Sequence, residues 1–218
     1  KTALVTGGAK RLGAATARAL ARRGVNVALH YQNSRAEAGK LAEELRAENV
    51  KTWLLQGDLS EANAGEQLMK DAAQTCGPID ILINNASIFP EYTLSELEPS
   101  SLFHNVTIKA FAPAMLGRAL AANNRPAVII NMLDTMVADY DKKHVSYHLS
   151  KRMLYTLTRM MAIEFAPDIR VNAVAPGLVL PPEGKDIQYL KNLAHSNPLN
   201  THGSAADVTN AILYLLEA

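Results

Sequence analysis

Short apolar runs alternate with longer amphipathic ones along the whole chain. Ala3–Val5, Val25–Leu29, Thr52–Leu55, Asp80–Ile83, Ala127–Ile130 and Ile169–Val174 read as strands. Between them apolar positions recur at helical spacing over Leu12–Arg23, Arg35–Glu48, Glu61–Thr75, Glu96–Ala122 and Ser146–Phe165. Two shorter helices follow the last strand. The strand runs are predominantly apolar and β-branched, so both of their faces are expected to be covered. Strand–helix alternation predicts βαβ units and a doubly wound parallel α/β sheet with helices on both faces. No linker divides it, so a single domain over residues 1–218 is expected. The stretch Pro176–Gly184 reads as a loop leading into a lid from about Pro181 to His202.

Composition narrows the class. With 218 residues and 48% hydrophobic, the chain can bury one large core. Lys plus Arg is 22, Asp plus Glu is 21 and the net charge is +1, a balance that points to neither a nucleic-acid nor a membrane partner. The one cysteine, Cys76, excludes an intrachain disulfide and reads as a small apolar or helix-end residue. A reducing, cytoplasmic setting is expected. No apolar run approaches the roughly 20 residues of a membrane helix, and no signal peptide is legible. The chain enters a strand run at once, so a few starting residues are expected to be missing.

Right-handed crossovers put ligands at the carboxyl ends of parallel strands. After the first strand comes TGGAKRLG, Thr6 to Gly13. Gly7 and Gly8 permit a tight turn, and Gly13 lets the helix pack close to the strand. The helix start then offers backbone N–H groups to a phosphate. After the second strand comes His30-Tyr31-Gln32-Asn33-Ser34-Arg35, with no acid before Glu37 to hold a ribose 2′-hydroxyl. Lys10, Arg11, Ser34 and Arg35 can instead meet a 2′-phosphate, which favours NADPH; the competing reading makes Arg35 the start of a solvated helix. Gly57-Asp58-Leu59 and Asn84-Asn85-Ala86-Ser87 close the next two strands with small and amide residues suited to a flat cofactor edge. Asn85 equally suits a bridge between strands.

Tyr147 and Lys151 stand four apart and share a helix face. Tyrosine's pKa of about 10 is high for proton exchange at neutral pH, and a nearby ammonium is expected to lower it. Alone, the spacing describes a solvated helix surface; its place after the fifth strand makes it a candidate site. His144 and His148 also have ligand spacing for zinc. No third ligand with matching spacing is evident, so no metal is expected and the two read as bystanders at the helix start. His104, His195 and His202 show no metal spacing.

TGGAKRLG, Asp58, NNAS, Tyr147-x-x-x-Lys151 and Pro176-Gly177 occur in an order and spacing that resemble the short-chain dehydrogenase/reductase family over essentially the whole chain. The resemblance implies a Rossmann-type fold, a nicotinamide cofactor and a homodimer or homotetramer. It implies Tyr147 as proton donor and Lys151 as the residue that holds the nicotinamide ribose and tunes the tyrosine. Pro176, Gly177, Leu178 and Val179 resemble the loop beside the nicotinamide. It also implies a further strand and a Gly-Gly-bearing tail beyond Ala218.

Three positions depart from the family pattern. Arg11 replaces the middle glycine of the turn. Asp134 replaces the serine thirteen residues before the tyrosine. The asparagine of the central helix has no clean match, with Asn105 and Thr107 both near its place. The first two departures together resemble the pteridine reductase branch, as do Ala9-Lys10-Arg11-Leu12-Gly13 and His30-Tyr31 with Ser34, where that branch takes NADPH. In the branch an aromatic residue after NNAS stacks on the pterin ring; Phe89, near Ser87, holds the similar place, where ordinary loop packing is the alternative.

A carboxylate beside the tyrosine makes chemical sense for a pterin. A ketone oxygen that gains negative charge is served by a hydroxyl donor and opposed by a carboxylate. A pterin is reduced at C=N bonds and presents N–H donors that an aspartate can accept. The expectation is an NADPH-dependent reductase of a dihydropterin- or dihydrofolate-like substrate, with Tyr147 and Asp134 in proton transfer and Arg11 at the pterin edge. The alternatives are a carbonyl or 3-oxoacyl reductase of the same family and a non-catalytic NADPH-binding protein.

Overall fold

In the computed structural model, which describes residues 1–182 and 184–218, six parallel strands form one sheet. They are β1 (Thr2–Val5), β2 (Asn26–Tyr31), β3 (Thr52–Gln56), β4 (Ile81–Asn84), β5 (Ala127–Met132) and β6 (Ile169–Val174), in the order β3-β2-β1-β4-β5-β6. Successive side chains point to opposite faces, and both faces are apolar. Ala3, Val5, Ile81, Ile83 and Ile130 pack with helices α1 (Arg11–Ala21), α2 (Arg35–Arg46) and α8 (Ala205–Glu217). Leu4, Leu82 and Ile129 face α3 (Ala64–Cys76), α5 (Ala112–Ala121) and α6 (Val145–Glu164). The Rossmann-type sandwich follows from strands whose two faces both carry apolar side chains. The chain reverses direction of travel across the sheet between β1 and β4, and the crevice there lies at the carboxyl ends of the strands.

Some boundaries differ from the periodicity. Residues 61–63 precede α3 as turns, with Ala64 N–H bonded to Glu61 O at 3.1 Å. The expected helix over Glu96–Ala122 is divided. A 3₁₀ turn (Leu94–Glu96) comes first; α4 (Pro99–Val106) then runs into one π turn (Thr107–Phe111) before α5. Pro113 explains the widening. It has no N–H for the Lys109 carbonyl four residues back, and its ring crowds that oxygen. The ladder opens by one residue, and Ala112 N–H reaches Thr107 O instead. After β6 come the loop, α7 (Ile187–Leu193) and α8. Within the loop expected over Pro176–Gly184, Glu183 lies outside the described residues. Among the described residues no helix is long and apolar enough to cross a membrane.

Two polar devices hold this frame. Asn84 Nδ2 donates to Asn131 Oδ1 at 2.8 Å, and Asn131 Nδ2 donates to Thr158 Oγ1 at 2.8 Å, joining β4, β5 and α6 through buried groups. Arg170 on β6 donates to the carbonyls of Leu215 and Leu216 at 2.9 and 3.1 Å. A cation is favoured at that end of a helix, where carbonyls lack intrahelical partners.

Candidate active site

The turn after β1 is built for close approach. Gly7 has φ +59°, and a Cβ there would come 2.9 Å from Ala86 Cα. A Cβ on Gly13 would come 2.3 Å from Gly7 O. Arg11, standing where the family has glycine, keeps the left-handed backbone at φ +53°, a conformation that costs a non-glycine residue about 1–2 kcal/mol. No side chain caps the start of α1. The backbone N–H groups of that first turn are thus left without the N-cap side chain as acceptor, which fits a dinucleotide diphosphate.

His30 and Asn85 hold the turn from beneath. Gly7 N–H donates to His30 Nδ1 at 3.1 Å, and His30 Nε2 lies 3.2 Å from Gly57 O. Burial lowers the His30 pKa to about 4, so the ring is neutral and links the turns after β1 and β3. Asn85 Nδ2 donates to Thr6 O and Gly7 O, both at 3.0 Å. Asn85 thus bridges strand ends, and both residues shape the cofactor turn through its backbone. Leu12 packs at the core edge, and Leu59 is buried in the other core layer. Asp58 Oδ1 accepts from Ser60 N–H at 2.9 Å, a bond that leads the causes lowering its pKa. A cavity of about 410 Å³ opens beside Asp58 and Leu59.

The basic residues expected at the 2′-phosphate, in the turns after β1 and β2, have protein partners. Lys10 Nζ lies 2.7 Å from Glu37 Oε1, and Arg35 Nη1 donates to Tyr31 OH at 3.3 Å. Ser34 stands at the N-cap of α2 beside them. Arg11 reaches across the crevice and donates to Pro181 O at 2.8 Å, tying the turn to the loop that follows Pro176–Val179. Gly177 lies near Thr135, to which a Cβ would come within 3.6 Å, so that loop borders the residues after β5.

Asp134 follows the end of that strand and caps the 3₁₀ turn Thr135–Val137. Its Oδ1 accepts from Met136 N–H at 2.8 Å, and its Oδ2 accepts from Tyr147 OH at 2.7 Å. Lys151 Nζ, one turn along α6 and buried, donates to Met132 O. The tyrosine's acidity runs against expectation. Burial first, then the Asp134 charge and hydrogen bond, push its pKa above the ordinary value. The lysine does not reverse this. Its Nζ is 5.7 Å from the ring centroid, and burial lowers its own pKa to about 8 despite the Asp134 charge.

Phe89 packs beside Tyr147. Its ring stacks on His144 at 4.0 Å and 18°, and meets Tyr147 edge-on at 4.6 Å and 89°. Tyr92 N–H donates to Lys143 O, and Val145 N–H to Tyr92 O, which bridges this loop to the residues before α6. Phe89 nevertheless stays 59% exposed, so part of the ring is open to a ligand. His144 therefore packs against the aromatic ring beside Tyr147 rather than standing apart as a bystander. Asp141 also supplies the third group that the spacing did not reveal, since its ligand atom and those of His144 and His148 lie within 4.8 Å of one another. The facing atoms already have partners: His144 Nδ1 is 2.7 Å from Asp141 Oδ2, and His148 Nε2 accepts from Asp141 N–H at 3.2 Å.

Neither candidate for the family asparagine faces Tyr147 with its side chain. Asn105 Nδ2 donates to Ser101 O, and Thr107 Oγ1 to Phe103 O, both bonds staying within their own helix. Lys109 does face it, with Nζ 4.3 Å from the ring centroid. The sequence held one signal of this, a lone charge in the apolar run Val106–Leu116.

A family model described as enoyl-(acyl carrier protein) reductase matches residues 7–218. The chain belongs to the short-chain dehydrogenase/reductase family. The 3-oxoacyl-(acyl-carrier-protein) reductase FabG of Staphylococcus epidermidis is 28% identical over 232 residues, spanning 99% of this chain and 91% of the relative. FolM alternative dihydrofolate reductase 1 from Brucella canis, solved in complex with NADP, has a TM-score of 0.91 and 30% identity, covering 99% of this chain and 87% of that one. A blue fluorescent protein from a metagenomic library, solved with NADPH, has a TM-score of 0.89 and 27% identity, covering 99% and 90%. This short-chain reductase is thus an oxidoreductase, with Tyr147, Lys151 and Asp134 gathered at the crevice.

Proposed function

We propose that this short-chain reductase uses NADPH to reduce a pteridine, a dihydropterin- or dihydrofolate-like small molecule. The observation that carries the reading is the Asp134–Tyr147 pair. A carboxylate stands beside the proton donor, its other oxygen bonded to Met136 N–H, so it is oriented from both oxygens. Such a group accepts from ring and amino N–H donors of a heterocycle and repels a developing alkoxide. The partly open Phe89 ring offers a stacking surface for a flat bicycle. The likeness to the Brucella canis alternative dihydrofolate reductase supports the same reading.

NADPH, when bound, supplies the hydride. Gly7, Leu12 and Gly13 would line its diphosphate turn, with Lys10, Arg11, Tyr31 and Ser34 on the 2′-phosphate side and Asp58, Leu59, Ala86 and Ser87 along the cofactor edge. Lys151 would hold the ribose, and Pro176–Val179 would flank the nicotinamide. Tyr147 gives the proton to the ring nitrogen beside the carbon reduced. Asp134 orients its hydroxyl and accepts an N–H of the substrate. Arg11 and Ser87 meet the substrate edge opposite Phe89.

A second reading, reduction of a 3-oxoacyl group, is favoured by the FabG relatives. Following NADPH oxidation with dihydrobiopterin, dihydrofolate and a 3-oxoacyl thioester separates the two. Turnover of a dihydropteridine with little of the thioester is expected; fast thioester reduction with no pteridine turnover refutes the proposal. Phe103, Phe111, Met160 and Ile163 remain exposed on α4, the π turn and α6. They support assembly as a homodimer or homotetramer.

A further inference from the structure

Lys109 is a lysine in the interior, 1% exposed, in the π turn that Pro113 forces. An amine in such a place costs free energy unless it is bonded or neutral. Its Nζ donates to Ile88 O at 2.8 Å and lies 4.3 Å from the centroid of the Tyr147 ring. It therefore touches the carbonyl next to Phe89 on one side and the proton donor on the other. Local π turns recur at functional sites because they re-aim one side chain out of helical register. In a plain α-helix the residues from 109 onward would be turned relative to α4, and Nζ would lose this position.

We propose that Lys109 is a positioning residue for Tyr147: it ties the Phe89 loop to the tyrosine and answers the charge the tyrosine acquires when it gives up its proton. The proposal rests on Tyr147 as donor, and not on the pteridine as acceptor. In the transfer, the O–H bond of Tyr147 breaks, a new bond to that proton forms at the acceptor atom of the substrate, and a phenolate remains. A proton taken from water onto Nζ then restores the charge of the pocket. It returns to water when the phenolate regains its own proton.

The groups facing Lys109 make this exchange available. Tyr147 and Lys151 reach it from α6, Asp134 acts on it through the Tyr147 hydroxyl, and His148 borders the same ring edge-on at 5.9 Å. Burial first, and the Lys151 charge second, bring the Lys109 pKa down to about 6. At neutral pH the resting amine is largely uncharged. A phenolate at this distance raises its proton affinity again.

Two variants of the full chain test the idea. Lys109→Met removes both the hydrogen bond and the charge; Lys109→Gln keeps a donor for Ile88 O but carries no charge. First, NMR of protein carrying ¹³C at lysine Cε follows the resonance that Lys109→Met deletes. A midpoint far below the ordinary lysine value of about 10.4 is expected; an ordinary midpoint overturns the proposal whatever the substrate. Second, kcat is followed against pH with saturating NADPH and dihydrobiopterin. Lys109→Gln should restore KM and the melting temperature but leave kcat down about thirtyfold, a modest part of the range typical of acid–base catalysis. The wild-type ionisation near pH 6 should vanish from both variants. A glutamine variant with wild-type kcat and an unchanged pH profile refutes the electrostatic role. Should the wild type turn over no pteridine, the substrate reading falls and the NMR titration still decides Lys109.

Discussion

Replacing Asp134 by asparagine removes one negative charge from beside Tyr147 and changes almost nothing in shape. The bond at stake is the 2.7 Å contact from Tyr147 OH to Asp134 Oδ2. A hydrogen bond to a charged partner contributes about 1.5–3 kcal/mol. At about 1.4 kcal/mol per pKa unit, its loss lets the Tyr147 pKa fall by about 1–2 units. The direction follows from the cause, because the carboxylate favours the protonated phenol. Tyr147 becomes the stronger acid, yet the acceptor for the substrate N–H has gone. Loss of acid–base assistance of this kind costs about 10²–10⁴ in rate. Tyr147 is retained, so a fall in dihydropteridine kcat near the lower end, about a hundredfold, is expected. A ketone should respond oppositely, since the anion opposing an alkoxide is absent. The assay is NADPH consumption with both substrates, alongside thermal melting to show that the variant folds. A dihydropteridine kcat within threefold of wild type, with ketone turnover unchanged, would refute the reasoning.

Phe89→Ala removes a ring whose stacking is worth about 0.5–1.5 kcal/mol beyond its buried area; KM for dihydrobiopterin should rise about tenfold with kcat less affected, and an unchanged KM contradicts the stacking role. His30 is depressed to about 4 in the folded chain, whereas the unfolded chain takes up its proton near 6.5. Its contribution is thus present above about pH 6.5 and is lost as pH falls towards 4, by about 3 kcal/mol at most. Urea midpoints should fall across that window, and less steeply in His30→Asn; parallel slopes would exclude His30 as the cause. Arg170→Ala leaves the Leu215 and Leu216 carbonyls without their donor. It should cost about 2 kcal/mol, or about 4–8 °C in melting temperature for a domain of this size; calorimetry showing no shift would mean the clamp contributes nothing.

The sequence by itself determined the sheet and the pairing of its chemistry. Strand runs with apolar residues on both alternate sets of positions need cover on both faces, and this imposes parallel βαβ units. Tyr147 and Lys151 lie one helical turn apart, so local geometry alone put them on one face. Asp134 was legible because it stands where a strand must end. Tertiary structure decided what distance along the chain conceals. Lys109 reads as an ordinary charge among apolar residues; only the π turn before Pro113 aims it at a tyrosine on another helix. Asp141 completes a cluster with His144 and His148 through a loop whose path no periodicity describes. The direction of the Tyr147 shift was misjudged for the same reason. A nearby lysine is visible in sequence, but burial and the final position of its ammonium are properties of the packed molecule, and here they outweigh it.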